Sequence, residues 1–229
     1  MQLILPVSLT PRSQGVHQSA IIRCIATESG ILKPEWAEEL TLADSRTITD
    51  EVAIARICMG LAWEEWYIHT QLPEVVDHPG EMLLDGVYMT PDGMELTTLI
   101  LDGRNRHELM LHEVKLTYKS INTVSGRQDS KDPHDWNYWA HRSYDSMVEA
   151  IGPMSSQWMW LAQTKGYAKA AGTRFVTLHV LYVCGDYSWP MRPIPYTYVI
   201  EFTQLELDQN WDLMLDYYQT HQHLIGDVV

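Results

Sequence analysis

The sequence predicts an α/β protein with a mixed central β-sheet flanked by helices. Stretches with helical spacing are interleaved with β-branched and aromatic runs of strand length. Their order, helices, three strands, helix, one or two strands, helix, is that of a layered sheet protein. The chain has 229 residues, 45% of them hydrophobic, with nine Trp and twelve Tyr, enough to fill one substantial core.

Taken in order, QSAIIRCIATESG has helical spacing and a stop at Gly30. TITDEVAIARICMGLAWEEWYIH predicts a longer helix, with Thr47 and Asp50 as a capping box and Gly60 as an interior blemish. EMLLDGVYMT and MELTTLILDG, joined by a turn at Pro91 to Gly93, predict a hairpin. RHELMLHEVKLTY is the next strand. A polar, aromatic-spotted segment from Ser120 to about Tyr144 is long enough to be a functional loop. MSSQWMWLAQTKGYAKAAGT predicts a helix ended by Gly172. TRFVTLHVLYVC and PYTYVIEFT predict strands, and LELDQNWDLMLDYYQTH predicts an amphipathic closing helix. No repeat or linker divides the chain. It reads as a single domain, with a helical extension (1–45), a core (46–185) and a terminal strand and helix (186–229).

No run of eighteen apolar residues is present, and the N-terminal MQLILPVSLTPRS is too short and interrupted for a signal peptide. Three widely spaced cysteines form no zinc or disulfide framework, so the expectation is a cytoplasmic protein without a membrane partner. The net charge of −14 argues at first against a nucleic-acid partner. Its distribution qualifies that. Between Arg104 and Arg174 lie ten basic and seven acidic residues, against six and twenty-three elsewhere, so the acidity sits outside the middle of the chain.

Within that middle segment, LHEVKLTYKS puts an acid and a base on one strand face. Glu113 and Lys115 are two apart and project together. The preceding hairpin carries Asp85, followed by Gly86. Two carboxylates on neighbouring strands, with the Val114 carbonyl between, would form the all-oxygen pocket that hard divalent cations choose. Lys115 could then orient or deprotonate a metal-bound water, or screen charge on a phosphate. The same tripeptide also occurs as an ordinary solvated ion pair.

Asp85 followed by Glu113-Val114-Lys115 resembles the PD-(D/E)XK nuclease superfamily. Two more features match its RecB-type and phage exonuclease branch, in the right order. Gly60 to Glu64 is similar to the Gly-x-x-x-Glu of the helix before the sheet. Gln163 to Tyr167 is similar to the Gln-x-x-x-Tyr of the helix after it, and residues i and i+4 share a helical face. The residue before Asp85 is Leu84, not the usual Pro. Glu65 adjoins Glu64, and the spacing from Gly60 favours Glu64 as the helix acid. The resemblance implies a restriction-endonuclease-like core. It also implies a DNA nuclease using Mg²⁺, with Mn²⁺ as substitute, and exonuclease work on DNA ends in phage or bacterial recombination or replication. Asp85, Glu113, Val114 and Glu64 would hold metal; Lys115, Gln163 and Tyr167 would assist at the water or phosphate. The cysteines of an iron–sulfur cluster are missing, so none is expected.

DNA contacts are expected from the segment after the site strand, through Tyr118, Lys119, Arg127, Lys131, Trp139 and Arg142, with Lys165 and Lys169 extending a cationic edge. The alternative is a nuclease-fold protein that binds a protein or DNA partner without cutting.

Overall fold

The computed structural model describes residues 13–44, 48–72, 74–77, 79–101, 103–117, 158–183 and 194–222. Along the chain come β1 (Val16–His17), α1 (Gln18–Glu28), α2 (Pro34–Asp44) and α3 (Glu51–Gln71). There follow β2 (Val76–Asp77), β3 (Met82–Leu84), β4 (Val87–Met89), β5 (Gly93–Leu101) and β6 (Arg104–Thr117). The described part ends with α4 (Trp158–Ala171), β7 (Phe175–Tyr182), β8 (Ile194–Glu201) and α5 (Gln204–Thr220). This is the mixed α/β architecture that the order of elements predicts.

Five strands form the main sheet, in the order β2-β5-β6-β7-β8. Only the central pair β6–β7 is parallel, because α4 lies in the connection between them; its neighbours are antiparallel. Alternation along β6 sends Leu111, Glu113 and Lys115 to one face and His112 and Val114 to the other. On the first face α1, α4 and α5 bury the main core around Leu111, Val176, Leu178, Ile200, Phe202 and Trp211. On the second, α3 sets Tyr67 and Ile68 against Val114, with Trp63 and Val75 packed at the edge. Helices thus cover both faces, as a parallel pair requires.

Two local expectations are corrected. The Pro91–Gly93 turn does not join two paired arms. The hairpin turns at Asp85-Gly86 between β3 and β4, which belong with β1 to a separate three-stranded sheet. Both turn residues have positive φ, 49° and 82°, the geometry that two-residue hairpins demand and that Asp-Gly meets at low cost. The second hairpin, β5–β6, turns at Gly103. At α3 the cap is Asp50 itself, its carboxylate accepting the Ala53 amide at 2.7 Å; Thr47 lies outside the described residues. Sequence reasoning also missed α2, whose apolar residues Trp36, Leu40 and Leu42 are exposed, and the full capping box of α5, Thr203 with Glu206.

Helix α4 is fixed to α1 by one buried side chain. Gln18 Nε2 donates to the carbonyls of Ala162 and Gln163 at 3.1 and 3.2 Å, and Asn210 Nδ2 of α5 donates to Ala162 as well. Gln18 lies so close that a Cβ on Gly166 would fall 1.8 Å from its amide nitrogen. Replacing a mid-helix Gly by Ala ordinarily stabilises, by ~1 kcal/mol. Here the hydrogen-bonded Gln18 cannot retreat, and forced overpacking costs about 1–3 kcal/mol. Gly166→Ala is therefore expected to lower the thermal midpoint, checked by calorimetry; a rise would show that Gln18 yields freely.

Candidate active site

The site begins where β6 outruns its partner. Gly93 at the start of β5 pairs with His112, so from Glu113 onward β6 has only β7 beside it in the sheet. The amide of Val114 is left without a strand partner on that side, and the Asp92 carboxylate accepts it at 2.7 Å. Gly93 makes this entry possible: a Cβ there would stand 2.4 Å from Val75 Cγ1. Asp92 is thereby held beside Glu113, which is buried to 1% exposure. Lys115 Nζ forms an ion pair with Glu113 Oε1, and Glu64 of α3 stands within electrostatic range of all three groups.

Burial raises the Asp92 carboxyl well above the ordinary range, and the charges of Glu113 and Glu64 push the same way. Lys115 and the Val114 amide oppose them without prevailing. Glu113 is raised too, again by burial first, with Lys115 opposing. For Lys115 burial alone would lower the value, but the carboxylates of Glu113, Asp92 and Glu64 outweigh it and hold the ammonium above its usual range. The group is a lysine cation embedded in an excess of buried acid.

Both Glu113 oxygens are buried without an aligned hydrogen-bond donor, the Lys115 ion pair notwithstanding. A buried carboxylate in that condition fits a cation ligand. Among the described residues no three His, Cys, Asp or Glu side chains enclose an ion by themselves. A hard divalent cation such as Mg²⁺ can be held by one or two carboxylates, with water and substrate oxygens completing its shell. The donor set of Asp92 and Glu113, with Glu64 at the margin, fits such an ion.

Of the acids expected from sequence, Glu113 and Glu64 come together with Lys115, and Asp85 does not. Asp85 lies in the β3–β4 turn, where its Oδ2 accepts the indole N–H of Trp211 at 2.8 Å and so ties α5 to the small sheet. The carboxylate beside Glu113 is instead that of Asp92, in a stretch that the sequence predicts as a turn. Between the adjacent helix acids the structure separates roles, since Glu65 is bonded to His69 at 2.9 Å while Glu64 faces the cluster. For Val114 the group seen engaged is the amide, donated to Asp92.

Gln163 and Tyr167 do share a face of α4, and the Gln163 amide donates to the Tyr167 hydroxyl. Lys165 and Lys169 do not form a free cationic edge. Lys165 is tucked against α5, 3.6 Å from Glu206 and over the Phe202 ring, and burial lowers its pKa. Lys169 pairs with Asp208 at 2.5 Å. The two lysines, one turn apart, meet two acids of the neighbouring helix, so their charge is spent in the α4–α5 seam. Tyr118, Lys119, Arg127, Lys131, Trp139 and Arg142 lie outside the described residues.

No protein-family model and no curated protein matches the chain. Among solved structures it is similar to SSO0001, with 12% identity, TM-score 0.40, and 90% of this chain and 78% of the other covered. It is also similar to an alkaline exonuclease (LHK-Exo) from Laribacter hongkongensis, alone and in complex with dAMP. Each of those two has 12% identity and TM-score 0.44, and covers 92% of this chain and 89% of the other. Among the described residues no helix is long and apolar enough to cross a membrane.

Because Asp92 and Glu113 are raised, the native protein holds protons that the unfolded chain has released once pH exceeds about 4. Without divalent cations, stability is therefore full below that value and falls as pH rises through the native values of the two acids. Asp92→Asn keeps an acceptor for the Val114 amide and removes the repulsion. It is expected to raise the metal-free melting temperature at pH 8 and leave it near wild type at pH 4. Asp85→Ala should do the opposite at any pH, since an orphaned buried N–H costs about 1–3 kcal/mol. Melting curves in EDTA at the two pH values check both; an Asp92→Asn protein less stable at pH 8 would count against a strained acid cluster.

Proposed function

We propose that this chain is a Mg²⁺-dependent deoxyribonuclease, with Mn²⁺ able to substitute. The observation that carries the reading is the convergence of Pro91-Asp92, Lys115 and Glu64 around the buried Glu113 carboxylate. With Asp92 in place of Asp85 the sequence spells the Pro-Asp and Glu-x-Lys pattern of the PD-(D/E)XK nucleases. The Gly60–Glu64 and Gln163–Tyr167 motifs, on the helices before and after it, point to the exonuclease branch.

Asp92 and Glu113 would hold the metal, and Glu64 would complete or steady its shell through water. The bound ion would lower the pKa of a water and neutralise charge on a phosphate oxygen. Lys115, kept as an ammonium by its acid neighbours in the metal-free protein, would serve as a donor and a positive charge for the phosphate. The Gln163–Tyr167 pair would align Lys115 or the scissile phosphate from α4, on the face that Glu113 shares. The basic and aromatic residues between Tyr118 and Arg142 would carry the DNA.

The test is cleavage of end-labelled linear and covalently closed circular DNA in Mg²⁺, Mn²⁺ or EDTA. Metal-dependent loss of the linear substrate alone is expected. Asp92→Asn and Lys115→Ala should each lower the rate about a hundredfold or more, the scale of removing one preorganised charge or donor. Asp85→Asn should retain the rate within a few-fold. Cutting of the circle would make the enzyme an endonuclease. No cleavage of either DNA by folded wild-type protein would overturn the reading in favour of a non-cutting binder.

A further inference from the structure

On the face of the sheet away from Glu113, a row of polar side chains, buried at its centre and open at its ends, crosses four strands and meets α3. Glu95 Oε1 of β5 lies 3.4 Å from His112 Nε2 of β6. His112 Nδ1 lies 3.1 Å from His179 Nε2 of β7. His179 Nδ1 lies 3.1 Å from the hydroxyl of Tyr67 on α3 and 3.3 Å from Thr197 Oγ1 of β8. Both imidazoles are almost wholly buried.

The two rings are nearly parallel, 8° apart, with centroids 5.4 Å apart. For nitrogens only 3.1 Å apart, centroids can be that distant only if both nitrogens lie on the line between them. The rings therefore meet edge to edge in one plane, which is the geometry of an N–H···N hydrogen bond and not of face-to-face stacking. Such a contact holds one proton. Glu95 makes no aligned hydrogen bond to Nε2, but its carboxylate 3.4 Å away favours the proton on that nitrogen and so biases the direction from the far end. His112 then carries its proton on Nε2 and accepts on Nδ1; His179 donates from Nε2 and accepts on Nδ1 from Tyr67.

Each acid of the candidate site has a member of this row close by in sequence. Tyr67 is three residues from Glu64 and so on the same side of α3. Glu95 is three residues from Asp92, and His112 adjoins Glu113. We infer that Tyr67, His179 and His112 form a one-directional hydrogen-bond chain, with the Glu95 charge at its end, that sets the three acid-bearing elements in register. They are positioning residues for the divalent cation. The inference rests on the metal-site reading above, and it assigns to the opposite face of the sheet the task of fixing the distances among Glu64, Asp92 and Glu113.

The experiment has two readouts besides activity. Imidazole ¹⁵N spectra of the whole protein should show the Nε2–H tautomer for both His112 and His179. Titration calorimetry with Mn²⁺ alone should show Tyr67→Phe binding about tenfold more weakly than wild type, the low end of what loss of a supporting partner does to a metal site. Glu95→Leu should do the same, while Glu95→Gln, which still offers His112 an acceptor, should stay within about twofold. A merely structural row would shift melting temperature in these variants and leave Mn²⁺ affinity alone. Nδ1–H at either histidine, or folded Tyr67→Phe and Glu95→Leu proteins with wild-type Mn²⁺ affinity, would overturn the positioning role and leave the nuclease reading standing. Wild-type protein that binds no Mn²⁺ would overturn both.

Discussion

Everything at the candidate site depends on one mismatch of strand length. Strand β6 continues past the point where β5 begins, and the Val114 amide is left facing a gap in the ladder. A buried N–H must find an acceptor. Had a backbone carbonyl filled that place, the sheet would simply have been wider by a residue or two. Instead a carboxylate fills it, and Asp92 is drawn into a region where Glu113 is already buried. Two acids and a dry environment follow from one unsatisfied amide.

The electrostatic state of that region is unbalanced by design of the chain and not by accident of packing. Asp92, Glu113 and Glu64 against Lys115 leave two negative charges when all are ionised. Raised carboxyl values are the response of the protein alone, since holding a proton is the cheapest way to discharge a buried acid. A divalent cation would discharge the same excess without protonation. Local strain of this kind persists only where the surroundings over-determine it. Here they do so from both sides, with Leu111, Val176 and Leu178 packed on one face and Tyr67, Ile68 and Val114 on the other.

Much of the fold was legible because its signals are periodic and redundant. Alternation along β6, helical spacing in α1, α3, α4 and α5, and β-branched runs at β7 and β8 each repeat the same message several times. Elements with a single weak signal were lost. The two-residue strands β1 and β2 have no period to detect, and α2 has apolar residues, such as Trp36 and Leu40, that are left exposed. The cap of α3 was misplaced by three residues because Thr47 and Asp50 are both good caps. Only the backbone decides which of them stands at the helix start.

The site was legible where chemistry and spacing coincide, in Glu113-Val114-Lys115 and Glu64, and misread where two identical dipeptides compete. The sequence reads Leu84-Asp85-Gly86 as part of a strand and Pro91-Asp92-Gly93 as the turn, and the structure puts the tight turn at the first. The first uses its glycine for positive φ, which the β3–β4 loop needs at both positions. The second uses its glycine for close approach, because β5 must pass against Val75 with no side chain between. Propensity cannot tell these uses apart, since both favour glycine. Proline could have: a residue with no N–H ends backbone pairing just before Asp92, and a chain that has lost its ladder partner is where a side chain must take over the hydrogen bonding. The acid that follows such a proline is placed to serve a neighbouring strand's amide, whereas the acid at a tight hairpin turn is placed to serve whatever packs on the turn. Asp92 serves Val114 and Asp85 serves Trp211.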